Sequence, residues 1–195
     1  MNLIPRGRRL IGSLALATAM TIVPAVSASA GTWTTSTASA SSGCAVTWGS
    51  LPKTGSGPTS EPITNLRAGR HTCFDRLVVD LGPAGDGRPD FWVGYVDTWS
   101  PHDGSYPQPR GGARISIVVT APVFANGMPT YQPANPLEAV NVAGYSTFRQ
   151  VIWAPSEPAS SDIGLGVRAR LPMRAFVLDG PGAGHRLVID VAHRW

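Results

Sequence analysis

Residues Phe74-Asp75-Arg76-Leu77-Val78-Val79-Asp80-Leu81, FDRLVVDL, decide how this chain is read. Leu77, Val79 and Leu81 recur at every second position, and Arg76, Val78 and Asp80 lie between them. Successive side chains of an extended backbone point to opposite faces, so this spacing predicts a strand with one apolar face and one mixed face. Immediately before it stand His71, Thr72 and Cys73. A histidine, a cysteine and two carboxylates within eleven positions also invite a reactive site. A catalytic thiol needs a lowered pKa and a third group to orient its base, and neither is offered here. A metal site from His71, Cys73 and Cys44 would lack a fourth ligand at a recognisable spacing. The strand reading is therefore preferred.

The same pattern repeats to the end of the chain. Strands are expected at Phe91–Thr98, Arg114–Thr120, Thr147–Trp153, Gly164–Leu171, Met173–Leu178 and Arg186–Ala192. Each is short, rich in Val, Ile, Leu and aromatic residues, and bounded by turn formers. The 22 glycines and 18 prolines recur too densely for long helices, and a helical turn around 136–140 is the best candidate. The predicted class is all-β: an antiparallel β-sandwich or flattened barrel with long loops and little helix. Two linking segments, 100–112 and 122–139, are long enough to be where binding occurs.

Residues 1–30 read as a secretory signal peptide. Arg6, Arg8 and Arg9 precede an apolar run over 10–23, and Ala28-Ser29-Ala30 offers a cleavage site. Residues 31–48 combine a Ser/Thr-rich tether with the start of a pinned segment, and 49–195 are expected to form a single domain. The whole chain carries 16 basic and 12 acidic side chains. Three arginines lie in the signal and none of the acids, which leaves 13 − 12 = +1 from residue 31 onward. That balance argues against a nucleic-acid partner, which calls for a strong basic surplus. Cys44 and Cys73 are the only cysteines, and export predicts that they form a disulfide. Leu51-Pro52-Lys53-Thr54-Gly55 spells a sortase sorting signal, but it lies far from the C-terminus and is read as chance.

Two ends of the predicted domain resemble a known family. ITNLRAGRHTCFDRLVVDL (63–81) is similar to the opening of AMIN domains, and MRAFVLDGPGAGHRLVIDVAH (173–193) to their closing strands. About ninety residues between them have no counterpart in an ordinary AMIN domain. Over 44–195 the chain resembles the AMIN-like family of secreted actinobacterial proteins. The resemblance implies a non-catalytic β module of the cell envelope that binds peptidoglycan or an associated wall polymer, with no cofactor and no metal. It carries no ligand residues across. An extracellular hydrolase, or a protein–protein module acting as inhibitor or assembly partner, are the alternatives.

Candidate residues were weighed singly. Arg168 and Arg170 alternate with apolar neighbours and Arg174 follows, so all three are candidates for an anionic wall component. A structural ion pair on the next strand is the competing reading. Trp99 and Tyr106 are candidates for stacking on sugar rings. Asp97, His102 and Asp103 could form an acid/base or metal site if they share a pocket, or could simply be a solvated turn. Asp75 and Asp80 sit at odd spacing on one strand and point opposite ways, so they offer no ready carboxylate pair. No Gly-x-Ser-x-Gly elbow and no phosphate-binding glycine loop is present.

Overall fold

The computed structural model describes residues 43–57, 59–82, 87–102, 104–156, 159–180 and 182–195. The expected signal peptide and most of the tether lie outside these. Eleven strands are described: β1 (Lys53–Gly55), β2 (Ile63–Arg70), β3 (Phe74–Leu81), β4 (Asp90–Val96), β5 (Ala113–Thr120), β6 (Phe124–Ala125), β7 (Met128–Pro129), β8 (Phe148–Ser156), β9 (Ser160–Val167), β10 (Met173–Asp179) and β11 (His185–Ala192). A single 3₁₀ turn, Pro136–Glu138, stands where the helical turn was expected, capped by the Asn135 side chain on the Leu137 N–H.

All pairings are antiparallel, and two sheets result. Sheet A runs β1-β4-β5-β9-β8, and sheet B runs β10-β11-β3-β2. β6 and β7 form a small separate hairpin. The opening octapeptide is the interior strand β3 of sheet B. Its Val79 stands opposite Leu187 on one side and Leu66 on the other. In sheet A the matching central strand is β5, where Ile117 stands between Val93 and Ile163. The inward rows meet in one apolar core. Leu77, Val79, Leu81, Leu187, Ile189 and Val191 come from sheet B, and Val93, Ile115, Ile117, Ile163, Leu165 and Val151 from sheet A. The expected β-sandwich is therefore the fold.

Two expected strand boundaries are corrected. β9 ends at Val167 rather than Leu171. Residues 168–172 must carry the chain from sheet A to sheet B, so they cannot stay in the ladder. Tyr95 of β4 fixes this crossover: its hydroxyl donates to the Leu171 carbonyl and accepts from the Leu171 N–H, both at 2.8 Å. β8 runs on to Ser156 through Pro155, which an edge strand tolerates because its outer N–H has no ladder partner. The sorting-signal-like letters at 53–55 form β1, a short edge paired to β4.

The Cys44–Cys73 disulfide is present, with Cα atoms 5.1 Å apart, and no cysteine is free. It ties the segment before β1 to the start of β3. His71 stacks on Phe74 at 4.4 Å, and its backbone N–H donates to the Phe74 carbonyl. The apparent reactive cluster is thus a staple and a turn.

Candidate functional site

The outer face of sheet B gathers arginines, aromatics and one aspartate. Asp190 of β11 is fully buried there, although it points away from the core. It accepts from Arg76 through both oxygens, at 2.6 and 2.9 Å, and from Arg174 at 2.8 Å. The strands explain the convergence, because Arg76, Asp190 and Arg174 are direct cross-strand neighbours on β3, β11 and β10. Aromatic rings cover the guanidinium groups. Arg174 lies 4.3 Å from the Trp48 centroid and 5.0 Å from Phe176, and Arg76 lies 5.3 Å from Phe74. The Asp190 hydrogen bonds hold the Arg76 guanidinium above its usual pKa, against the opposing effect of burial.

Two further carboxylates are buried at opposite ends of β11. Asp75 accepts from the backbone N–H groups of Thr147 and Phe148 at 2.5 and 3.2 Å, and its other oxygen is 3.1 Å from His193 Nε2. Glu61 accepts from the His185 N–H at 3.0 Å, and both its oxygens lie 2.9 Å from His185 Nδ1. These pairs pin strand ends to neighbouring segments. Each buried acid is satisfied by its donors, as a buried charge requires.

The outer face of sheet A is built differently. Residues 97–102 and 104–112 form a strap across β9 and β8. Trp99 is only 1% exposed and packs with Ile152 and Ala154. Its backbone N–H and carbonyl are both satisfied by the Gln108 side chain, at 2.8 and 2.6 Å. Gly164 and Gly166 give the strap its seat: a Cβ on Gly164 would lie 2.8–2.9 Å from Pro109 and the Trp99 ring, and one on Gly166 would collide with the Arg110 carbonyl. Buried Gln150 fastens both long linkers. It accepts from the Arg110 N–H and donates to the Leu137 carbonyl, each at 2.8 Å.

Where the linkers meet, two open clefts flank the 3₁₀ turn. The first is an apolar groove of about 390 Å³. Trp153 forms part of its lining, Tyr131 meets that ring edge-on at 5.2 Å, and Tyr106 and several prolines complete it. The Tyr131 hydroxyl donates to the Ala139 carbonyl, and burial pushes its pKa up. The second cleft, about 350 Å³, is polar and is lined by Arg110, Glu138, Arg149 and the loop 141–145.

The candidate residues are not brought into one site. Arg168 is exposed and donates to the His193 carbonyl. Arg170 bonds Ser50 and lies 4.9 Å from the Tyr95 ring centroid. Both are on the crossover rather than on a strand face, so the expected alternation does not apply to them. Arg174 is held by Asp190, which is the structural pairing weighed above. Trp99 is enclosed under the strap, where a sugar cannot reach it, while Tyr106 lines the open groove. Asp97 lines a different, shallow cleft with Arg114 and Arg170, His102 is exposed, and Asp103 lies outside the described residues. Among the described residues no group of three or more His, Cys, Asp or Glu is placed to hold a metal. The sequence marks Tyr131, like Tyr106, as a loop aromatic able to stack on a sugar; Trp153, Arg70 and Arg149 carried no signal of their own beyond the length of the linkers.

The architecture is that of a disulfide-stapled β-sandwich with long loops laid over one sheet. The model of the AMIN-like domain family matches residues 61–193, and the chain belongs to that family. Membership points to a cell-envelope-related module, of a kind that is generally non-catalytic and binding. No curated protein matches the chain. The disulfide suggests an extracytoplasmic location, and no helix among the described residues is long and apolar enough to cross a membrane.

Proposed function

We propose that the chain is an exported, non-catalytic module of the cell envelope that binds a wall glycan, either peptidoglycan or a polymer associated with it. The observation that carries this reading is the open aromatic groove between the strap, the β6–β7 hairpin and the end of β8. Sugar rings present apolar C–H faces, which pack well on tyrosine rings held by a rigid frame. The groove offers Tyr106 and Tyr131 on such a frame, because Trp153 and the β8 backbone lie behind them.

The protein from residue 43 onward, incubated with purified cell-wall sacculi at low salt, is expected to be retained. Tyr106→Ala and Tyr131→Ala should each lower retention about tenfold, the scale set by losing one aromatic anchor. No retention above a variant with scrambled surface residues would end the proposal.

A protein partner is the second reading, and one observation favours it. Met128, at the tip of the β6–β7 hairpin, is 68% exposed, and Leu137 of the 3₁₀ turn is also exposed. Retention that disappears once the sacculi are stripped of bound protein would select that reading.

A further inference from the structure

We infer that the polar cleft beside the loop 141–145 is a binding site for an anion, a carboxylate or a phosphate group carried on a larger ligand. Three guanidinium groups reach this loop from three separate segments. Arg70 is the last residue of β2, Arg110 belongs to the strap, and Arg149 is the second residue of β8. One carboxylate in the cleft lining, Glu138, pairs with Arg110, while the buried Asp75, the cross-strand neighbour of Arg70, is held by the Thr147 and Phe148 N–H groups.

The other two arginines have no acidic partner among the described residues. Arg149 donates to the carbonyls of Tyr145, Ser146 and Phe148, at 3.1, 3.3 and 2.8 Å. Those bonds fix the guanidinium without neutralising it. Arg70 rests on the Tyr145 ring, 5.8 Å from its centroid, and makes no ion pair. In the cleft lining Arg110 is offset by Glu138 and Arg149 is not, and Arg70 stands beside the same loop on the Tyr145 ring, in a chain whose charge from residue 31 onward sums to +1.

The site is also held in shape before any ligand arrives. Val142 is buried in the core, Asn141 accepts from the Ala143 N–H at 3.0 Å, and Tyr145 stacks parallel on Phe148. Preorganised guanidinium forks are the donors best matched to planar carboxylates and to phosphates. The cleft and the aromatic groove share one wall, since Pro136 lines the groove and Glu138 the cleft. A ligand with rings and repeating negative charge could occupy both. The ligand's being a wall polymer rests on the proposed function above; the anion site itself does not.

The test uses the protein from residue 43 onward, with short-chain polyphosphate and oligoglutamate as separate probes in low salt. Binding of at least one is expected, weakening as salt rises. Arg70→Glu should reduce it about tenfold or more, the scale of one lost charge-assisted contact, without moving the thermal midpoint. Glu138→Gln should strengthen it, because the competing carboxylate is gone. Arg168→Ala, on the crossover, should leave it unchanged. Absence of binding to both probes would overturn the inference, as would indifference to Arg70→Glu and Glu138→Gln together. Preference for one probe identifies the anion. Tyr131→Ala distinguishes the two proposals: it should lower retention on sacculi while leaving polyphosphate or oligoglutamate binding intact.

Discussion

The two outer faces of the sandwich use arginine and aromatic side chains in opposite ways. On sheet B, Arg76 and Arg174 close on Asp190 and are covered by Trp48, Phe74 and Phe176. The arginines of that face are largely spent on the aspartate, and its open cleft lies at the other end of the sheet, beside the Arg67–Asp80 pair. On sheet A, a strap held by Gln108 and Gln150 leaves Tyr106, Tyr131 and Arg149 at the rims of open clefts. A charged residue on a regular strand finds a cross-strand partner at fixed distance, whereas a residue on a linker is placed by whatever the linker is anchored to. Arg76 and Arg174, set opposite an aspartate within sheet B, are consumed in structure, whereas Arg149 at the start of β8 and the groups carried on the linkers are left at open clefts.

Removing the staple should break the sheet B face most severely. The disulfide holds the segment that carries Trp48, the ring stacked over Arg174. Reduction, or Cys44→Ala with Cys73→Ala, should cost about 3.6 kcal/mol, the chain-entropy value for a loop of this length. Urea unfolding with and without reductant measures it. An unchanged midpoint would show that the Trp48 segment is held independently of the bridge.

Asp190→Ala should come next, at roughly 3 kcal/mol. It strands two guanidinium groups against aromatic rings with no acceptor, and their partial exposure keeps the loss at the low end for a broken buried pair. Asp80→Ala, which removes the acceptor of the half-exposed Arg67, should cost under about 1 kcal/mol. The contrast between the two aspartates is the sharper measurement. Equal costs would mean that burial of Asp190 adds nothing, and that the sheet B face is an ordinary solvated surface.

Gly166→Ala carries the comparison to sheet A. Its methyl group meets the backbone of Arg110, which can yield only if the whole strap shifts. A loss of about 2 kcal/mol is expected. Binding at both clefts should fall with it, although Gly166 lines neither. Gly164→Ala meets side chains of Pro109 and Trp99, which have more room to move, and should cost less. Full retention of binding in Gly166→Ala would mean that the clefts do not depend on the strap.

The sheets were legible in the sequence because burial on one face writes a period of two, as in 77, 79 and 81 or 187, 189 and 191. The disulfide was legible because only one pairing of two cysteines exists. Arg168 and Arg170 were misplaced because alternation cannot tell a strand from a crossover that happens to alternate; the stop at Val167 depends on sheet B lying beside it. Trp99 was misread because large aromatics look alike in sequence whether they line a groove or fill one. The clefts were legible only as long linkers. The linkers that wall them are fastened by Gln108 and Gln150, whose hydrogen bonds reach between segments up to forty positions apart, and no local pattern marks such contacts.

Tyr95 tests the junction between the two faces, with an effect smaller than those of Asp190→Ala and Gly166→Ala. Its hydroxyl makes two bonds to the backbone of Leu171, so Tyr95→Phe should cost about 1 kcal/mol at neutral pH. Burial, only partly offset by the Leu171 bond and the nearby Arg170 charge, raises its pKa above the ordinary value of about 10. A group whose folded pKa is raised holds its proton in the folded state after the unfolded state has lost it. The stabilisation is therefore complete below about pH 10 and declines as pH rises through the folded pKa. Thermal midpoints of the wild type should fall along an alkaline limb that is shallower in Tyr95→Phe. The residual slope in the variant belongs to Tyr131, whose pKa burial also raises. Parallel limbs in the two proteins would mean that Tyr95 is free to ionise in the folded state, and that the crossover from sheet A to sheet B is fastened by something other than its hydroxyl.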